Sequence, residues 1–157
     1  MSRTTPATLA LDRAGVAYTL ATYDYDPGAD RVGLQAAEAL GVAAAEVLKT
    51  LIVMADGRPA CVVLASDREV AMKTLAQALG AKACGMAPVA DAERITGYRV
   101  GGVSPFGQKK RLPTVVDATA AALPAAFVNG GQRGLQVRLA PSELVRVLGA
   151  TVAEIAV

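Results

Sequence analysis

The alternation of apolar and polar positions is clearest in the middle of the chain. VLKTLIVMA and RPACVVLA are two apolar runs separated by Asp56-Gly57. An Asp-Gly pair supplies the left-handed backbone of a tight turn, so these runs predict a β-hairpin. Upstream, Thr5 stands where a helix cap belongs, Pro6 suits the first turn and Gly15 the exit, which predicts a helix over 5–14. VAYTLATY (16–23) reads as a strand, DYDPGAD as a loop, and GLQAAEAL (33–40) as a short helix closed by Gly41. EVAMKTLAQALGA (69–81) has the period of an amphipathic helix ending at Gly80. A short strand near 82–86 and a helix over 88–96, with Pro88 near its start, follow. After a glycine- and proline-rich loop over 97–113, PTVVDA, TAAALPAAFVNGG and GLQVRLA predict three short strands, with Gly130-Gly131 in a turn. A helix over 140–150 and a last strand in TVAEIAV complete the pattern. Helices and strands are interspersed, and several strands are close enough in sequence to pair as hairpins. An α+β fold is therefore expected, with a mixed, mostly antiparallel β-sheet and packed helices rather than a doubly wound parallel sheet.

Composition narrows the class. With 157 residues and neither tandem repeat nor linker, 1–157 is expected to be one domain with a sizeable core. Apolar residues make up 53%, yet no run approaches the roughly 18–20 residues of a membrane span. The first residues have no continuous apolar stretch and no cleavage site, so a cytoplasmic protein is expected. The chain has no histidine, which removes Ser-His-Asp, Cys-His and histidine general-base chemistry at once. Two cysteines without histidine leave little for a zinc or iron site, and no cofactor is expected. Cys61, inside ACVVLA, and Cys84, inside AKACGM, read as small core residues. A net charge of +2 is compatible with a nucleic-acid partner but does not establish one.

A few positions carry candidate chemistry. A period of two places Lys49, Leu51 and Val53 on one strand face. A lysine among apolar neighbours either faces a cleft, where it holds an anion or polarises a carbonyl, or snorkels from an edge strand. Thr50 points the other way in a regular strand and reaches the same pocket only at a bulge or a strand end. Tyr23 sits where strand gives way to loop, and its hydroxyl lines a site or meets water. Asp24, Asp26 and Asp30 do not match a calcium loop, because Pro and Gly fall at ligand positions and no bidentate Glu follows. In GGVSPFGQKKRLP (101–113), Gly101 and Gly102 allow backbone N–H groups close to a ligand, and Ser104 is held extended before Pro105. Lys109, Lys110 and Arg111 form a compact cationic cluster that suits a phosphate backbone or a solvated turn.

TPATLALDRAGVAYTLATYDYDP, VLKTLIV, TGYRVGGVSPFGQKKRLPTVVDA and VNGGQRGLQVRLAPSEL, in that order, resemble the YbaK/EbsC family of free-standing aminoacyl-tRNA editing domains. GGVSPFGQKKRLP and the Lys49-Thr50 pair are closest to the Cys-tRNA(Pro) deacylase branch. The resemblance implies a mixed, partly barrel-like sheet surrounded by helices, and an enzyme that removes mischarged amino acids from tRNA. It implies catalytic roles for Lys49 and for Gly101 at the substrate carbonyl, with Tyr23 and Thr50 in the aminoacyl pocket. Gly102, Ser104, Asn129 and Gly130 complete the expected substrate set, and Lys109, Lys110, Arg111 and Arg133 the expected tRNA contacts. The expected partners are the acceptor end of aminoacyl-tRNA and prolyl-tRNA synthetase. In the branch, the cysteinyl thiol is thought to attack its own ester, which needs no enzyme base. The alternatives are a deacylase for another amino acid such as alanine, a non-catalytic module that binds tRNA or a synthetase, and a nucleotide or small-acid binder. The chain departs from the branch at Asn129, where serine is common before Gly-Gly. It also departs at Gln132 for lysine, at Tyr25 for histidine, and at Val32 for a pocket aromatic. Whether Gln136 faces the pocket is open from sequence.

Overall fold

A computed structural model describes residues 3–28 and 32–157, so Asp30 lies outside the described residues. The chain opens with α1 (Pro6–Arg13) and β1 (Thr19–Thr22), followed by α2 (Val32–Leu40). Thr5 caps α1 as expected, in a reciprocal box with Thr8: its Oγ1 accepts the Thr8 N–H at 3.1 Å, and Thr8 Oγ1 accepts the Thr5 N–H at 2.9 Å. A 3-10 turn at Ala44–Glu46 leads into β2 (Leu48–Ala55) and β3 (Arg58–Ala65). These two strands are the predicted hairpin. They pair without slip from Leu48↔Ala65 to Ala55↔Arg58, and the turn has φ 48° at Asp56 and 79° at Gly57. The Asp56 carboxylate also accepts the Lys82 and Ala83 N–H groups at 2.9 and 3.1 Å, which docks the lead-in to β4.

α3 (Met72–Leu79), β4 (Cys84–Met86) and α4 (Val89–Thr96) come next. The loop over 97–113 leads to β5 (Thr114–Asp117), α5 (Ala118–Ala121), β6 (Ala126–Asn129) and β7 (Leu135–Leu139). The chain ends with α6 (Pro141–Leu148) and β8 (Thr151–Ala153). The strands form a three-stranded sheet, β1-β7-β6, and a five-stranded sheet, β4-β2-β3-β5-β8. Four pairings are antiparallel, whereas β3 with β5 and β5 with β8 are parallel, so the sheet is mixed and mostly antiparallel as expected. The barrel-like part of the expectation stops short of closure: the sheets remain separate, with the isolated bridge Val47↔Phe127 where β2 and β6 approach each other.

Three segments differ from the sequence reading. The first strand covers only Thr19–Thr22. α3 starts at Met72 rather than 69, because Glu69 exchanges backbone hydrogen bonds with Val157 at 3.1 and 2.8 Å. TAAAL is partly helical rather than extended, in keeping with alanine's intrinsic preference. No helix among the described residues is long and apolar enough to cross a membrane.

β3 is covered on both faces, which explains its unbroken apolar run. Cys61 and Val63 join the main core with Leu11, Phe106 and Leu144, whereas Val62 and Leu64 join a second core with Leu75 and Ile155. The 97–113 loop is fixed to the main core from within. Phe106 is buried, the Tyr98 hydroxyl donates to the Phe106 carbonyl at 2.6 Å, and Gln108 Nε2 donates to the Ser104 carbonyl at 3.0 Å. Gly107, at φ +66°, packs so closely on α1 that a Cβ would stand 2.3 Å from the Pro6 carbonyl oxygen.

Gly107→Ala is therefore expected to lower stability by about 2–4 kcal/mol, from left-handed strain plus overlap with a backbone atom; an unchanged urea midpoint would contradict the packing. Cys61 generates a second expectation. Burial pushes its thiol up to about 12 from an ordinary 9.0, partly opposed by Gln108 and Thr114. Above pH 9 the unfolded chain loses a proton that the native state keeps, so this stability is present below pH 9 and lost as pH rises towards 12. The difference in unfolding free energy between wild type and Cys61→Ala should fall by about 1.4 kcal/mol per pH unit in that window, and a flat difference would contradict it.

Candidate functional site

β4 pairs with β2 only over Val53–Ala55, and the Ala87 N–H reaches the Ile52 carbonyl at 3.0 Å. Leu48–Leu51 thus leave a strand edge beside the seam where Val47 meets Phe127. A cavity of about 400 Å³ runs along this edge. Its position explains how Lys49 and Thr50 both border it although the hairpin has no bulge: side chains from both faces of an edge can flank a groove beside it. Val32 and Leu34 of α2 and Val89 and Ala92 of α4 supply apolar walls, and Met86 and Val100 reach the rim. Asn129 and Gln136 face each other across β6 and β7 and add polar groups from the smaller sheet.

Lys49 and Glu69 are the charged residues among the cavity's described lining. Their side chains form a loose pair at 4.0 Å, with the lysine side chain 23% and the glutamate 69% accessible. Such a pair, in partial solvent and at the limit of ion-pair distance, is a weak contact by itself. Two further polar atoms are buried here without a hydrogen-bond partner among the described residues, Thr50 Oγ1 and Gln136 Oε1. Buried polar atoms ordinarily have partners, so both mark places where a ligand's donor or acceptor would be welcomed.

Gly101 lies on the cavity wall at φ +95°. Its segment is hydrogen-bonded on nearly every side. The Val100 N–H donates to Glu93 Oε2 at 2.9 Å, and the Val100 carbonyl accepts from Arg133 Nε and Nη2 at 3.0 and 2.8 Å. The Gly101 carbonyl accepts from Asn129 Nδ2 at 3.2 Å, and the Gly102 N–H donates to the Arg99 carbonyl at 2.8 Å. The Gly101 N–H alone among the N–H groups of Val100–Gly102 has no acceptor among the described residues. A backbone donor without an acceptor among the described residues, in a residue that borders the cavity, is the type of group that can stabilise negative charge on a carbonyl oxygen.

The structure brings together Lys49, Thr50, Gly101 and Asn129, and it puts other expected residues elsewhere. Gly102 is buried against the neighbouring turn, where a Cβ would stand 2.8 Å from the Arg133 nitrogen. Ser104 is fully buried away from the cavity, and its Oγ accepts the Phe106 N–H at 3.2 Å. Gly130 packs on Leu135, and its carbonyl accepts the Thr5 hydroxyl at 2.5 Å. Tyr23 lies in the layer behind the wall, beside Gln136; burial pushes its phenol up, Tyr25 adds to the shift, and Gln136 partly opposes it. Its hydroxyl is buried, and no partner among the described residues meets it in good hydrogen-bond geometry. Lys109, Lys110 and Arg111 are exposed on the same loop and do not border the cavity. Asp26 caps the Gly28 N–H at 2.9 Å, and no metal-binding cluster occurs among the described residues. Gln136, left open by the sequence, faces the cavity, and Val32 borders it as its sequence position implied. Pairing Asn129 with Gln136 across NGGQRG would have placed Gln136 from sequence, whereas nothing local marks Glu93 or Glu69.

Known proteins resemble this chain in sequence and in fold. Residues 26–147 match the family model of the aminoacyl-tRNA editing domain. EbsC of Enterococcus faecalis, a candidate Cys-tRNA(Pro)/Cys-tRNA(Cys) deacylase by name, is 37% identical over 120 residues, which span 76% of this chain and 73% of EbsC. A proline–tRNA ligase of Geobacter metallireducens is 35% identical over 92 residues, 59% of this chain but 16% of the ligase. A crystal structure of a candidate trans-editing enzyme for prolyl-tRNA synthetase superposes with a TM-score of 0.80 at 22% identity, covering 96% of this chain and 94% of that one. The sequence match over most of the chain, on a fold shared with a trans-editing structure, places the protein in the aminoacyl-tRNA editing domain family, as its YbaK/EbsC-like motifs implied.

Proposed function

We propose that this protein is a trans-acting deacylase that cleaves cysteine from tRNA(Pro), with the cavity taking the aminoacyl group and the end of the acceptor strand. The observation that carries this reading is the unpaired Gly101 N–H on the same cavity wall system as Lys49. The chain has no histidine, and the cavity offers Glu69 as its carboxylate, mostly exposed and paired with Lys49. Such a site suits a substrate that brings its own nucleophile. The cysteinyl sulfur attacks the ester carbonyl carbon and forms a C–S bond. Negative charge passes to the carbonyl oxygen, which the Gly101 N–H receives. Collapse breaks the C–O bond, the ribose oxygen leaves with the proton lost by the thiol, and the products are a cysteine thiolactone and free tRNA. Lys49 orients the terminal ribose or its phosphate, and Thr50 and Gln136 satisfy polar groups of the aminoacyl moiety. Holding the sulfur and carbonyl in reach supplies much of the acceleration, since intramolecular alignment alone can reach several powers of ten.

Cys61 and Cys84 take no part: Cys61 is fully buried, and Cys84 lies opposite Ala55, at the other end of β2 from Lys49, against Met72. Lys109, Lys110 and Arg111 are proposed to meet the RNA backbone, and prolyl-tRNA synthetase is a proposed partner on the strength of the ligase match. The proposed setting is the cytoplasm.

Purified protein should deacylate Cys-tRNA(Pro) and leave Ala-tRNA(Pro) intact, because alanine has no thiol. Lys49→Ala should lose about 100-fold or more in rate, the scale of removing one preorganised electrostatic contact. The cysteinyl rate should rise with pH up to the thiol's ordinary range near 8.5, in line with the thiolate as attacking species. Equal release of alanine would overturn the mechanism, and full activity in Lys49→Ala would overturn the site.

A further inference from the structure

We infer that Arg133 is a positioning residue for the carbonyl-binding peptide rather than a tRNA contact, an inference that rests on the reading of Gly101 above. Arg133 Nε and Nη2 both donate to the Val100 carbonyl, at 3.0 and 2.8 Å. That carbonyl and the Gly101 N–H belong to one peptide unit. The described residues contain no cis peptide bond, so the two dipoles point in opposite directions across a planar group. A fork fixed on the oxygen therefore fixes the direction of the N–H and resists rotation of the whole plane. It also polarises the peptide: a cationic donor on the oxygen makes the N–H at the other end a stronger donor, as in any hydrogen-bonded chain.

The guanidinium is itself held in place. Its carbon stands 5.2 Å from the centroid of the Tyr25 ring, within cation–π range. The Tyr25 hydroxyl closes over Gly101, where a Cβ would come within 2.8 Å of it, and Arg133 Nε would be 3.3 Å from that same Cβ. The backbone beneath Arg133 is set by Asn129 Oδ1, which accepts the Gly131 and Gln132 N–H groups at 2.7 and 3.2 Å. The brace is completed from the other side by Glu93, which accepts the Val100 N–H. Two of the five guanidinium N–H donors are thus committed to a backbone carbonyl and one face to a ring, which ties the side chain to the loop.

The experiment compares wild type, Arg133→Met and Arg133→Lys in steady-state deacylation of Cys-tRNA(Pro) across a salt series, with 1H–15N spectra of each protein. As a brace, Arg133 acts on kcat: Arg133→Met should lose about 10- to 100-fold in kcat, with KM changed less than twofold and the salt dependence of kcat/KM unchanged. Lysine keeps the charge but not the fork, so Arg133→Lys should fall nearly as far. The Gly101 amide resonance should shift upfield in the proton dimension in both variants. The inference is overturned if the loss falls on KM, lysine restores it and the salt slope drops by about one. That result would make Arg133 a phosphate contact and leave the deacylase reading intact. It is equally overturned by an unmoved Gly101 amide in folded Arg133→Met, a readout independent of turnover. Absence of release by wild type would defeat the deacylase reading, and the amide shift would still decide whether the brace exists.

Discussion

The site depends on one side chain, Asn129, that ties two glycine-rich segments together. Its Nδ2 donates to the Gly101 carbonyl, and its Oδ1 accepts two N–H groups of the turn after β6. The same turn is fixed from below, where the Thr5 hydroxyl that caps α1 also donates to the Gly130 carbonyl. Through these links the start of the first helix, the end of β6 and the 97–113 loop are held as one unit. A serine at this position has one short hydroxyl and cannot span both segments as the amide does. The exchange that looked in sequence like a change in substrate contact is therefore also a change in how the loop is anchored.

The elements were legible where local chemistry decides them. Thr5, Pro6 and the Asp56-Gly57 turn each act within a few residues, and each sits as its chemistry demands. Local pattern could not reveal the parallel pairing of β3 with β5 and of β5 with β8, because it joins segments far apart in the chain. Nor could it show that β2 has a free first half. That gap, a matter of which strand stops short, brings Lys49 and Thr50 to one cavity despite their opposite faces.

Within the site, glycine was the ambiguous letter. Gly101, Gly102, Gly107 and Gly130 look alike in sequence, since each permits close approach. The structure separates them by place: all four are closely approached by the protein's own atoms, Gly101 by the Tyr25 hydroxyl and the Arg133 side chain, but Gly101 alone of the four borders the cavity. Ser104 shows the same limit. A hydroxyl before proline is available in principle, yet this one accepts the Phe106 N–H and stabilises the turn.

The proposed thiol-assisted mechanism, which uses no enzyme base, has a consequence for selectivity. The cavity walls include several small apolar residues, and Val32 leaves one wall smaller than an aromatic would, so shape alone gives limited power to reject an aminoacyl group. A small apolar difference in a pocket discriminates by only about 10- to 200-fold. A mechanism that requires the substrate's own thiol does not meet that ceiling, because an amino acid without the thiol binds and yet has no reaction open to it. On the proposed mechanism, selectivity rests on the geometry of one peptide plane, which must receive the oxyanion at the moment the sulfur attacks. A loop wired through Glu93, Asn129 and Arg133 is suited to that demand, since a plane held from three sides does not need to reorganise when charge appears.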